Sequence, residues 1–225
     1  MSMTFDPYKV RAKDVSQAQD VIMTNPTALK ELESYWASLP RMNGIPSRQN
    51  VDPVALGGLL EDTFILERVA PGVARIRVAG RNISKLIGVE PRGLPLTSLM
   101  LPEARADIAN HLETAFATPS VVEIPLVGPR AVGQPKLQGK ILLLPLRDNH
   151  GRVSRILGVL VMSGRRGLGG RRFAICSETA VRTDAVVGLR SIDGGVTETR
   201  FPTFRVPDHE KAEDKPALRL VVSNV

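Results

Sequence analysis

The side chains with most chemical potential in this chain are three histidines, one cysteine and a dense run of arginines. His150 and His209 are not spaced with other ligands for a metal, and His111 has no charged or second-ligand partner in view. Cys176 stands alone, which excludes an internal disulfide framework and any multi-cysteine metal site. It reads as a small, buried or semi-buried residue; redox sensing is the alternative. Nucleophilic catalysis needs a base and an orienting acid converging on Ser or Cys, and no such set stands out. The expectation is a protein that is not an enzyme.

Arg165, Arg166, Arg171 and Arg172 sit in the stretch R-R-G-L-G-G-R-R. Its glycines lack the preceding strand, the following helix and the Lys-Ser/Thr ending of a phosphate loop. The preferred reading is a solvated hinge; the alternative is contact with phosphates or an acidic partner. No aromatics interleave with the arginines, which argues against a base-stacking surface.

The positioning elements follow from composition and periodicity. With 225 residues, 43% hydrophobic and 24% charged, the chain suits one well-cored domain with extensions. Aromatics make up only 4%, so Leu, Ile, Val and Ala must build the core. The net charge of +7 favours anionic partners but does not bear on fold. No apolar run nears the roughly 20 residues of a membrane span, and the N-terminus lacks the pattern of a secretory signal. These features predict a cytoplasmic protein with no membrane contact.

Val15, Ala18, Val21 and Ile22 recur at helical spacing and predict a leading amphipathic helix, within an N-terminal extension over residues 1–26. Leu29, Leu32, Tyr35, Trp36 and Leu39 predict a second helix, capped by Thr27 and ended by Pro40. Asp52-Pro53 predicts the start of a short helix. Arg48 and Asp52 are expected to hold the connector before it by hydrogen bonds to its turns.

Strands are predicted over 63–69 and 73–79, then a short helix ended by Gly88 and a long helix opened by Pro102. Further strands follow over 121–127, 137–146 and 153–162, with Asp148-Asn149-His150-Gly151 as a hairpin turn. Strands grouped in hairpins rather than alternating with crossover helices make the fold class α+β. Residues 164–225 read as a basic linker and a partly disordered tail, with short β-like pieces and a charged run over 210–215.

The motifs Y-W-A-S-L-P, I-P-S-R, F-I-L-E-R-V, I-R-V-A-G-R-N-I and L-L-L-P-L-R-D-N-H-G-R-V-S-R-I-L-G-V-L-V, in this order over residues 27–163, resemble a bacterial PAS-domain subfamily known mostly from alphaproteobacteria. The resemblance implies a five-stranded antiparallel sheet with helices on one face, preceded by N-terminal helices. It also implies a sensory or regulatory module for signal transduction through protein–protein contact, tuned by a small ligand.

Candidate pocket residues on this reading are Ile65, Ile76, Val78, Leu86, Ile87, Ile108, His111 and Leu112; the alternative is that these side chains simply fill the core. Haem-bearing members place an axial His where His111 stands, which makes a haem or flavin sensor one alternative. The helix R-N-I-S-K-L-I-G has no reactive Cys for flavin photochemistry, so a covalent flavin switch is disfavoured. No cofactor is required by the sequence.

No kinase, cyclase or phosphodiesterase module follows, so the expected partners are a second copy of the chain, as a homodimer, and a signalling protein. Val15, Ala18, Ile22 and Trp36 are the interface candidates. A nucleic-acid-binding regulator using Arg165–Arg172 is the remaining alternative, with nucleic acid the less expected partner.

Overall fold

The computed structural model describes residues 21–23, 25 and 27–186. Helix α1, Ala28–Ser38, forms where the apolar stripe predicts it. Ala28, Leu32 and Trp36 recur every four residues and are buried, with Leu29, Tyr35 and Leu39 packed beside them. Thr27 precedes the helix but makes no side-chain cap; Asn25 Oδ1 accepts from its N–H at 3.0 Å instead.

Two short strands, β2 (Arg41–Met42) and β3 (Ile45–Pro46), and a 3-10 turn over Arg48–Asn50 lead to helix α2, Pro53–Leu56. Asp52 caps α2 as predicted, accepting from Val54 N–H at 2.8 Å. Strands β4 (Thr63–Ala70) and β5 (Val73–Ala79) make a hairpin, followed by helix α3, Arg81–Ile87. Gly88 closes α3 in the left-handed conformation, φ 76°, that favours glycine. A 3-10 turn over Pro102–Ala104 runs into helix α4, Arg105–Ala117. Strands β6 (Ser120–Gly128), β7 (Leu137–Arg147) and β8 (Val153–Arg165) complete the predicted set.

These strands form one antiparallel sheet in the order β6-β7-β8-β4-β5, and three further strands extend it to eight. β9 (Ala174–Ile175) and β10 (Arg182–Ala185) both pair with β6, sharing its outer edge. β1 (Val21–Met23) pairs with Ser163–Arg165 of β8, on the side that β4 uses further along. The α+β class holds, with eight strands where five were expected.

The sheet is buried on both faces. Helices α3 and α4 cover one, over a core that includes Phe64, Leu66, Ile76, Ile108, Leu112 and Phe116. Helices α1 and α2 cover the other, over Ile65, Leu142, Leu144, Leu157 and Val159. Strands buried on both faces read as continuous apolar runs, which explains L-L-L-P-L and I-L-G-V-L-V.

Two expectations change here. The leading helix through Val21 and Ile22 is a strand at that point, because its backbone finds ladder partners on β8; Val15 and Ala18 lie outside the described residues. The linker expected from residue 164 is part of the domain. β8 runs on to Arg165, and the chain is then laced across α3 and the turn before α4. Arg171 N–H donates to Leu86 O, Phe173 N–H to Leu99 O and Leu101 N–H to Phe173 O, at 2.8–3.0 Å. The tail pieces beyond residue 186, the charged run over 210–215 and His209 lie outside the described residues.

Candidate functional site

Five of the predicted pocket residues do meet. Ile76, Leu86, Ile87, Ile108 and Leu112 share the core between the sheet and α3–α4, each 4% exposed or less. His111 is half-buried on α4 next to Leu112, and burial pulls its imidazole pKa down, opposed by the Asp107 charge. A haem there would need Ile108 and Leu112 to move, so the residues present do not outline a space for that group. Among the described residues, no three of His, Cys, Asp and Glu group so as to hold a metal ion.

Ile65 and Val78 lie on the other face, against expectation. The register pairs Ile65 with Val78 but Leu66 with Ile76, so Arg77 is an extra residue in β5. That β-bulge reverses the side-chain alternation and turns Val78 away from Ile76. Val78 is 56% exposed, and together with Ile65, Leu56, Leu60 and Leu157 it lines a hollow of about 240 Å³ beside α2. Leu60 and the neighbouring Val54 are also exposed.

Trp36 does not offer an exposed interface. It is buried against the sheet, and its indole N–H donates to Pro145 O at 2.9 Å. The Arg41 guanidinium lies 4.7 Å from its ring centroid and covers the indole from the solvent side.

A larger, polar groove of about 860 Å³ opens where the β4–β5 turn, the β7–β8 turn and the Arg48 turn come together. Arg48, Arg68, Arg152 and Arg155 line it, with Glu67 and Asp148. The wall is braced by Gln49, whose side chain donates to Asn149 Oδ1 at 3.1 Å. Arg48 departs from its expected role. Gln49 and Asn50 tie the connector down, whereas the Arg48 guanidinium makes no hydrogen bond or ion pair with the described residues.

Asp148 organises the β7–β8 turn. Its carboxylate accepts from the Ser154 hydroxyl (2.8 Å) and from the N–H groups of His150 (2.8 Å) and Arg152 (3.0 Å). The Ser154 bond, those N–H bonds and the Arg152 charge hold its carboxyl well below the usual carboxylate range. A folded-state pKa depressed in this way contributes stability above the unfolded value of 3.8, and that stability is lost as pH falls below it. The stability difference between wild type and Asp148→Asn is therefore expected to shrink between roughly pH 6 and pH 3. Urea titrations at both pH values check this; an unchanged difference would refute the assignment.

The arginine run is split by the fold. Arg171 is 1% exposed, and its guanidinium donates to four carbonyls, those of Gly128, Pro129, Pro135 and Arg166, at 2.8–3.2 Å. Arg166 donates to Lys85 O. Arg171 therefore belongs to no exposed basic cluster, and the hinge reading fails with it. Apolar periodicity carries no signal for a cation caged by loop carbonyls. Cys176 is a free, half-buried thiol beside a cleft of about 370 Å³ lined by Pro125, Leu126 and Met162. No helix among the described residues is long and apolar enough to cross a membrane.

Solved structures similar to this chain include the light-state structure of the blue-light photoreceptor Aureochrome1 LOV. It is 20% identical, with 51% of this chain and 90% of that chain covered and a TM-score of 0.36. An RNA-binding Light-Oxygen-Voltage receptor is 18% identical over 55% of this chain and 37% of that one, with a TM-score of 0.35. No curated protein matches the chain. The family model described as PAS domain matches residues 23–161, which span the sheet from β1 into β8 together with α1–α4. On that match, over more than half its length, the chain belongs to the PAS domain family.

Proposed function

We propose that this PAS domain is a sensory module that transmits its signal by protein–protein contact, first of all with a second copy of itself. The observation that carries this reading is the surface hollow beside α2. Val78 is 56% exposed there and Val54, on the adjoining α2, is 86% exposed, while the core under α3 and α4 is packed with side chains. Exposed apolar side chains gathered around a hollow are a feature of contact surfaces. β5 lies at the end of the sheet order, so a partner can approach Val78 from outside the sheet. The W-x-S-L-P and I-P-S-R motifs place the module in the alphaproteobacterial type on this reading, and a small ligand would tune the contact.

Native mass spectrometry of the full chain tests it. A dimer is expected for wild type and a monomer for Val78→Asp, whose carboxylate would have to be desolvated in the contact. A wild-type monomer at tens of micromolar, or a Val78→Asp dimer of undiminished strength, would refute this surface.

A further inference from the structure

We propose that the groove between the β4–β5 and β7–β8 turns is a binding site for a small, multiply charged anion carrying phosphate or carboxylate groups. The charge pattern around it is unbalanced. Four guanidinium groups, those of Arg48, Arg68, Arg152 and Arg155, line it with two carboxylates, those of Glu67 and Asp148, while Arg77 and Glu113 pair with lining residues from outside. Each carboxylate is already engaged. Glu67 holds both Arg77 and Arg155, Glu113 holds Arg68 and the Gly72 N–H, and Asp148 holds its own turn together with Arg152.

Arg48 is left over. It is half-buried, lines the groove and has no acceptor among the described residues. A guanidinium lifted partly out of water without an acceptor gains most from a bidentate partner, and phosphate and carboxylate both match its fork. The Arg155 and Arg68 side chains are only 26% and 29% exposed and held by their acids, so these two cations are placed before any ligand arrives.

The concavity sets the size. About 860 Å³ suits a ligand of metabolite dimensions, and Gln49–Asn149 keeps the Arg48 wall fixed against the β7–β8 turn. This site is separate from the core between α3–α4 and the sheet, and it shares only Arg48 with the rim of the Val78 hollow. Its failure would leave the dimer reading standing, and the reverse also holds.

The test is calorimetric titration of the full chain at low salt with pyrophosphate and, separately, with citrate. Acetate serves as the singly charged control. At least one multivalent probe is expected to bind with Kd below about 1 mM, with affinity falling as salt rises. The stronger probe distinguishes a phosphorylated ligand from a polycarboxylate. Arg48→Gln is expected to weaken binding about tenfold or more, the equivalent of one charge-assisted hydrogen-bonding partner. Arg105→Gln, which removes the same charge from the exposed start of α4, should change it by less than about twofold. Arg152→Gln is the second variant should Arg48→Gln melt early. Two probes that both fail to bind, or equal weakening by Arg105→Gln, would overturn the proposal.

Discussion

Replacing Arg171 by methionine is expected to destabilise the fold by about 3–5 kcal/mol, the scale of leaving several buried acceptors without a donor at about 1–3 kcal/mol each. Methionine can fill much of the volume but donates nothing. The carbonyls of Gly128, Pro129, Pro135 and Arg166 would then be left without the donor they share. Gly128 shows how closely this cage is built. A Cβ added there would lie 2.9 Å from Arg171 Nη2 and 3.4 Å from the Phe173 ring. Arg171→Lys is expected to recover little, because a single ammonium has three donors and no planar fork to span four acceptors. Urea denaturation read by far-UV circular dichroism measures the loss. A methionine variant within about 1 kcal/mol of wild type would show that the cage does not secure the segment after β8.

Trp36→Ala is expected to cost about 3–5 kcal/mol, the range for truncating a buried aromatic. The indole is the largest side chain joining α1 to the sheet, and its removal leaves a void lined by that layer as well as an unpaired Pro145 carbonyl. Trp36→Phe separates the two effects. It keeps most of the volume and loses the 2.9 Å hydrogen bond, so about 1–3 kcal/mol should remain. Because β1 and α1 lie next to each other in the chain, hydrogen exchange should show the alanine variant opening first at α1. Uniform opening across β7 and β8 instead would mean that α1 is not a separable layer.

Much of this fold was legible from the residues alone. The apolar stripe of α1, the Asp52-Pro53 start of α2, the Gly88 stop of α3 and the Asp148–Gly151 turn are local signals, and local chemistry decides them. The long apolar runs of β7 and β8 announced strands, although periodicity alone could not say that both their faces would be covered. What stayed hidden depends on partners distant in sequence. The bulge at Arg77 is visible only in the register between β4 and β5, and a strict alternation sets Val78 with Ile76. Val21 and Ile22 read as helix because their ladder partners lie some 140 residues further on. The groove leaves no local signal for the same reason. Arg48, Arg68 and Arg155 look like dispersed surface cations until three turns bring them together. The glycines of R-R-G-L-G-G-R-R suggested a hinge, yet Gly170 is a glycine because a side chain there would collide with the Ile87 carbonyl.

The segment after β8 also bears on where this domain can be cut. The family match stops at residue 161, four residues before the end of β8. A fragment trimmed to that boundary would lose Arg171 from its carbonyl cage and Phe173 from the core over which α3 and α4 pack. It would also strip β9 and β10 from β6, leaving a nine-residue strand with one row of amides and carbonyls bare. An uncovered strand of that length is a template for pairing with other chains. The short, exposed β10, with Arg182 held between Glu33 and Asp184, therefore guards the sheet against polymerising through its side. The foldable unit is longer than the family signature by at least the twenty-five residues that end at Val186.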